Sequence, residues 1–283
     1  MNVVAAFAFA FACAGGYQAP TEAALGIRVH PIGAATLADR LVDVTSPFLD
    51  APYLLSPLGE GAGVDPDPRL RLDAFDCTTF IETALALALA KNLDDARVVL
   101  DHIRYQHGVV EYGARRHFPE AEWIPQLTAA GLLLDVTLKL GGDAVHRETK
   151  KLDLNVWKHA HHPGLPLLDD ARIPSGVFAL DVWALDDVSA HFDRIPAGTL
   201  LHVVRVDFPG VPVRVSHQGL VLEKNGKKFI RHAADRMHHR VVDEPLPRFF
   251  SRMKQYRKWP VAGVHLTLLQ APADWRARLE LPP

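Results

Sequence analysis

The sequence predicts an α+β fold in which a buried helix packs on an antiparallel β-sheet. Three observations carry this. Residues 77–91 follow a helical pattern that is apolar almost all round, as expected of a helix with no solvent face. The C-terminal third holds β-branched or alternating runs at 198–206, 213–223, 227–234 and 263–269, the signature of strands. Between two of these runs stands Asn225-Gly226, a hairpin signal because both turn positions need positive φ. Helices first and adjoining strands afterwards is the α+β order.

The elements follow in chain order. Residues 1–14, MNVVAAFAFAFACA, are a short apolar run ending in the small-x-small triplet Ala12-Cys13-Ala14. That is the shape of a secretory signal with its cleavage site, and too short for a membrane span. The expectation is an exported protein, periplasmic or extracellular. A lipid anchor at Cys13 is the lesser alternative, and no other segment is apolar for long enough to span a membrane. Residues 15–283 then read as a single catalytic domain. Residues 56–70 are rich in Gly, Pro and Asp and read as a loop,. After the buried helix, Asp94 and Asp95 are placed to cap a second helix that runs to about Gln106 and stops near Gly108,. Residues 155–175, rich in Pro, His and Asp, read as a connection.

Composition narrows the partners. The net charge is −2 with His neutral, so nothing in it draws a polyanion, and no nucleic acid is expected. Cysteine usage is more telling. The chain has two cysteines, and Cys13 leaves with the signal or carries a lipid. Cys77 then has no partner for an internal disulfide. Exported proteins usually pair their thiols, so a lone one is either inert in the core or kept for its reactivity.

Asp76 is a suitable N-cap, which puts Cys77 in the first turn of the buried helix. There the helix dipole favours thiolate over thiol, which suits a nucleophile. Position by itself leaves a small core residue as an equal alternative. The hairpin register supplies a candidate base. With Asn225-Gly226 as the turn, Lys224 faces Lys227, Gly219 faces His232 and His217 faces Ala234. His217 and His232 then share one face as diagonal neighbours. Two imidazoles can meet there, one fixing the tautomer of the other. The buried helix is expected to pack on that same face. A pair of half-exposed strand histidines fits the same pattern.

Asp76-Cys77, Ser216-His217-Gln218-Gly219 and His232-Ala233 resemble the three catalytic blocks of the NlpC-type cell-wall amidases, which have a papain-like core. Within that superfamily the closer resemblance is to the N-acetylmuramoyl-L-alanine amidase-like branch. Its Asp-Cys-x-Thr-Phe-x-Glu block is matched by Asp76, Cys77, Thr79, Phe80 and Glu82. Its Ile-Arg-Tyr-x-x-Gly block is matched by Ile103, Arg104, Tyr105 and Gly108. An Arg-x-His-aromatic stretch followed by Trp is matched by Arg115, His117, Phe118 and Trp123. Pro52-Tyr53 resembles the segment that holds a tyrosine beside the nucleophile. The sequence departs from the pattern at Thr199, Glu122 and Ala234.

The resemblance implies a cysteine amidase acting on peptidoglycan fragments, without a cofactor. Cys77 would attack the amide, His217 would act as base and His232 would orient it. Tyr53 and the Cys77 backbone N–H would stabilise the oxyanion. Arg104, Arg115 and Arg116 would bind stem-peptide carboxylates, with Asp76 and Trp123 also lining the substrate. The bond implied is the one between N-acetylmuramic acid and L-alanine; the wider superfamily more often cuts between D-glutamate and the diamino acid.

Two other classes compete. His159-Ala160-His161-His162 and His238-His239 are dense enough to suggest a metal, but no His-Glu-x-x-His helix motif is present, and no metal is expected. A non-catalytic wall-binding module would keep the groove and lose the nucleophile or the base, whereas this chain carries Cys77, His217 and His232.

Overall fold

The computed structural model describes residues 17–21, 23–25, 37–160, 168–208, 210–235 and 238–282. The apolar N-terminal run, Cys13, His161 and His162 lie outside them. The described helices are α1 (Leu37–Thr45), α2 (Cys77–Leu89), α3 (Leu93–Arg104), α4 (Ile124–Ala129), α5 (Thr137–Gly141), α6 (Leu154–His159), α7 (Leu185–Ala190), α8 (Leu246–Met253) and α9 (Trp275–Arg278). The strands are β1 (Leu133–Asp135), β2 (Val145–Leu152), β3 (Gly176–Ala184), β4 (Thr199–Arg205), β5 (Val215–Lys224), β6 (Lys227–Ala234), β7 (Arg240–Pro245) and β8 (Val261–Leu269). They form one sheet in the order β2-β3-β8-β4-β5-β6-β7, with β1 on β8. Every pairing is antiparallel. The α+β expectation holds, and the four anticipated strands are β4, β5, β6 and β8.

The β5–β6 turn forms as its two residues require. Asn225 has φ 51° and Gly226 φ 70°, and Lys224 pairs with Lys227. Some boundaries differ from expectation. Asn92, not Asp94 or Asp95, caps α3, accepting a hydrogen bond from the Asp95 N–H. The two aspartates sit in the first turn, where the dipole favours them. Inside the expected connection 155–175, the short helix α6 is capped by Asp153.

The sheet is apolar on both faces, because helices cover both. On one face Leu200, Val204, Leu220, Ala233 and Val241 pack with α2, α3 and Phe75. On the other, Leu201, Val203, Val221, Ile230 and Leu266 pack with Leu246, Phe249 and Phe250 of α8. His217 shares the parity of Val221, and His232 that of Ile230; both rings lie against Phe249. The two histidines therefore face α8, and the buried helix α2 packs on the opposite face, contrary to expectation. Strand alternation fixes which residues share a face, but not which helix covers it.

Two irregularities let the opposite faces meet at one place. The β5–β6 ladder runs from the turn only to Leu220–Arg231, although β5 begins at Val215 and β6 ends at Ala234. Beyond that point the ladder pairing stops while the strands stay close, a Cβ built on Gly219 falling 3.1 Å from that of His232. On the other side of β5, Val203 pairs with His217 and Val204 with Val215, so Ser216 is the extra residue of a bulge. Bulges bend a strand and re-aim its side chains. Cys77, at the start of α2, lines one cleft with Ser216 and His217 of this stretch.

Candidate functional site

Cys77 is the first residue of α2, and the turn that carries it is tightly built. The Asp76 carboxylate accepts from the Thr79 N–H at 2.7 Å, and the Thr79 hydroxyl accepts from the Asp76 N–H at 3.0 Å. This reciprocal capping box satisfies two otherwise orphaned donors. The other carboxylate oxygen of Asp76 accepts from the Ser56 N–H at 2.9 Å. The segment before the helix is also fixed: Tyr53 donates its N–H to His239 O at 2.8 Å, and Leu54 and Phe75 join through a 3.0 Å backbone bond.

Cys77 and Tyr53 line one cleft with His217, His232, Ser216, Arg205 and Arg252. His217 Nε2 lies 2.7 Å from His232 Nδ1, so one ring donates to the other, as the hairpin register anticipates. His232 Nε2 in turn lies 3.3 Å from Glu244, a charge contact without hydrogen-bond angles. Arg252 donates to both oxygens of Glu244, at 3.2 and 2.6 Å. The line thus runs His217, His232, Glu244, Arg252. His232 is 1% exposed, so its ring is almost wholly shielded from water.

Electrostatics define the resting state. Burial pushes the Cys77 thiol up to about 12, and the neighbouring Asp76 charge adds to this. The Gln218 backbone and the Thr78 hydroxyl pull the other way, less strongly. The helix dipole therefore does not make Cys77 a thiolate at rest, as its position in the first turn suggests; desolvation outweighs it. His217 is held well below its usual 6.5 by burial and then by the charge of His232, with Arg252 and Arg205 contributing. It is a neutral imidazole at neutral pH, able to accept a proton. The Tyr53 hydroxyl is raised by burial and by nearby Cys77, Asp76 and Asp235, and so stays protonated as a donor.

The remaining sequence candidates lie elsewhere. Arg104 is 4% exposed, pairs with buried Glu82 and donates to Leu58 O at 3.1 Å. Arg115 is held by Glu60 at 2.6 Å and Asp65 at 2.9 Å. Arg116 spends one nitrogen on the carbonyls of His102, Ile103 and Tyr105 and another on Gln126. Trp123 is buried with its ring edge toward His202. The Asp76 carboxylate is taken up by its cap. None of these five lines the cleft that holds Cys77 and His217; Arg116 lines a separate cavity with Gln106, Gln126 and Glu280. Glu244, Arg252 and Arg205 are the additions that sequence reading missed. Their signal was slight, since an Asp-Glu-Pro strand end and isolated arginines carry no motif.

Among the described residues, no group of three or more His, Cys, Asp or Glu side chains is arranged to hold a metal. His159 turns its ring to Asn155 O at 2.8 Å. Likewise, no described helix is long and apolar enough to cross a membrane.

Fold and site together define a class: an α+β protein in which a helix-borne cysteine and a strand-borne histidine pair line one cleft. The chain belongs to the AmiA-like family, N-acetylmuramoyl-L-alanine amidase-like, whose model matches residues 43–256. Among solved structures it is similar to a Legionella pneumophila protein of family DUF1460, at 23% identity and TM-score 0.75, covering 88% of this chain and 95% of that one. It is also similar to an N-acetylmuramoyl-L-alanine amidase from Bacteroides uniformis, at 21% identity and TM-score 0.66, covering 84% of this chain and all of the other. These likenesses establish the shared fold. No curated protein matches the sequence.

Proposed function

We propose that this protein is a cysteine amidase of bacterial cell-wall muropeptides that hydrolyses the bond between N-acetylmuramic acid and L-alanine. The observation that carries the proposal is the cleft itself, in which a helix-terminal thiol and a hydrogen-bonded imidazole pair face one space. The family description favours the muramoyl–alanine bond over the D-glutamyl–diamino acid bond. A wall substrate also fits the export expected of residues 1–14.

The chemistry follows from the resting charges. Thiol and imidazole are both neutral, so proton transfer from Cys77 to His217 accompanies attack of sulfur on the carbonyl carbon. His232, backed by Glu244, steadies the imidazolium. The Tyr53 hydroxyl and the Cys77 N–H stabilise the oxyanion. Collapse breaks the C–N bond, and His217 returns the proton to the leaving amine of L-alanine. Water, deprotonated by His217, then attacks the thioester, releasing the muramic acid carboxylate and the free thiol.

Cys77→Ala tests the nucleophile. The variant is expected to stay folded, because the capping box is made by Asp76 and Thr79, and to lose muropeptide hydrolysis entirely. Turnover in the purified variant at more than a trace of the wild-type rate would end the cysteine mechanism.

A further inference from the structure

A second set of buried polar groups approaches Cys77 from the sheet face that α2 covers. Gln218 follows His217 on β5, so its side chain points to the other side. It is 2% exposed, and His202 and Thr267 are fully buried behind it. Gln218 Nε2 lies 3.3 Å from Thr78 Oγ1, and Gln218 Oε1 lies 3.1 Å from His202 Nδ1. His202 Nε2 lies 3.0 Å from Thr267 Oγ1. Four side chains thus connect β8, through β4 and β5, to the residue next to the nucleophile.

The donor at each link is fixed by chemistry. An amide oxygen only accepts, so His202 Nδ1 carries the proton and donates to Gln218. Burial, and after it the charge of His265, lowers His202 to about 3, so the ring is neutral and its Nε2 accepts from the Thr267 hydroxyl. An amide nitrogen only donates, so Thr78 Oγ1 accepts from Gln218. The Thr78 hydroxyl proton is then turned away from Gln218. Every link points the same way, from Thr267 toward α2, and bonds in such a line polarise one another.

We propose that Thr267, His202, Gln218 and Thr78 form a buried donor chain that fixes the first turn of α2, where the nucleophile sits, and leaves the Thr78 hydroxyl proton free to turn to the Cys77 thiolate as it forms. The proposal rests on Cys77 being the nucleophile. Gln218 and His202 are positioning residues in this scheme, and Thr78, the neighbour of Cys77 in the chain, is the group it assigns to the thiolate. The lowering influence of the Thr78 hydroxyl on the Cys77 thiol is consistent with it. The chain also ties α2 to the bulged half of β5.

The test follows the rate of Cys77 alkylation by iodoacetamide against pH, together with kcat and KM on a muropeptide. The variants are Thr78→Val, Thr78→Ser and Gln218→Met, each checked for folding by circular dichroism and thermal melting. The other ionisable groups near the sulfur are unchanged in all three: Asp76 beside it, and Tyr53, Asp235, His217, His232, His238, Arg205 and Arg252 in the cleft. Thr78→Val is expected to slow alkylation at pH 7 by roughly tenfold or more, the scale of a hydrogen bond to a charged group. Its kcat should fall by a similar factor with KM little changed. Thr78→Ser should stay within about twofold of wild type, and Gln218→Met should follow Thr78→Val. Wild-type alkylation and kcat in folded Thr78→Val would overturn the proposal, as would an equal loss in Thr78→Ser, which would show that shape and not the hydroxyl matters. If Gln218→Met does not fold, the Thr78 pair decides. Alkylation reports on the sulfur without substrate, so failure of the amidase reading, seen as turnover in Cys77→Ala, is separable from failure of the chain.

Discussion

Arg104 and His232 are equally hidden from water, yet their surroundings put them to different uses. Arg104 meets the Glu82 carboxylate and a backbone carbonyl in a wall between α2 and α3, and its charge is neutralised where it stands. His232 meets a second imidazole on one side and Glu244 on the other, and its partner His217 opens onto the cleft. The first cluster is an ion pair closed on itself. The second is a neutral pair backed by a carboxylate, with room to take up a proton. Burial therefore does not mark a functional residue; a buried group whose line of partners reaches an open space does.

The contrast can be broken from either side. The largest expected effect is on catalysis. His217→Ala should lower kcat/KM by roughly 10²–10⁴-fold, the usual worth of a general base, with the melting temperature little changed. His232→Ala should cost less, because water can replace part of an orienting contact, and steady-state kinetics on one muropeptide would rank the two. The opposite ranking would exchange their roles.

Arg104→Met should do the reverse. It leaves Glu82 buried without its cation, a loss of about 3–5 kcal/mol when a buried pair is broken, while activity per folded molecule is kept. Denaturant unfolding beside active-site titration would separate the two quantities. A folded, stable Arg104→Met with a raised KM would restore Arg104 to substrate binding.

The smallest effect is a shift in pH dependence. His217 sits well below 6.5 in the folded protein, chiefly through burial. Its basic form persists as pH falls through 6.5 and is lost only when pH passes its lowered value. The acid limb of kcat/KM should thus fall below pH 6.5, and Arg252→Gln, which removes a nearby positive charge, should move the limb upward. An acid limb centred above 6.5 in the wild type would contradict the burial of the pair.

Much of this site was legible because its determinants are local. Asn225-Gly226 dictates a two-residue turn, and the turn dictates that His217 and His232 share a face. Asp76 just before Cys77 could be read as the N-cap that starts the helix, while the answering bond from Thr79 came only with the structure. What was not legible depends on distant partners. Arg104, Arg115 and Arg116 look like candidate anion binders until Glu82, Glu60 and the carbonyls of α3 appear beside them. Glu244 and Arg252 enter through β7 and α8, which no motif announces. The face taken by α2 was misjudged for a related reason. A sheet covered on both sides has two apolar faces, and periodicity does not say which helix lies on which. The bulge at Ser216, beside the cleft that Cys77 and His217 share, left no trace in the pattern.

The central claim concerns a bond, and product analysis tests it most directly. A defined muropeptide, carrying N-acetylmuramic acid, L-alanine, D-glutamate and a diamino acid, is incubated with the protein and the products are weighed by mass spectrometry. The expected result is free N-acetylmuramic acid and a peptide whose amino terminus is L-alanine, with both absent from the Cys77→Ala reaction. Release of N-acetylmuramoyl-L-alanyl-D-glutamate and a fragment beginning at the diamino acid would contradict it.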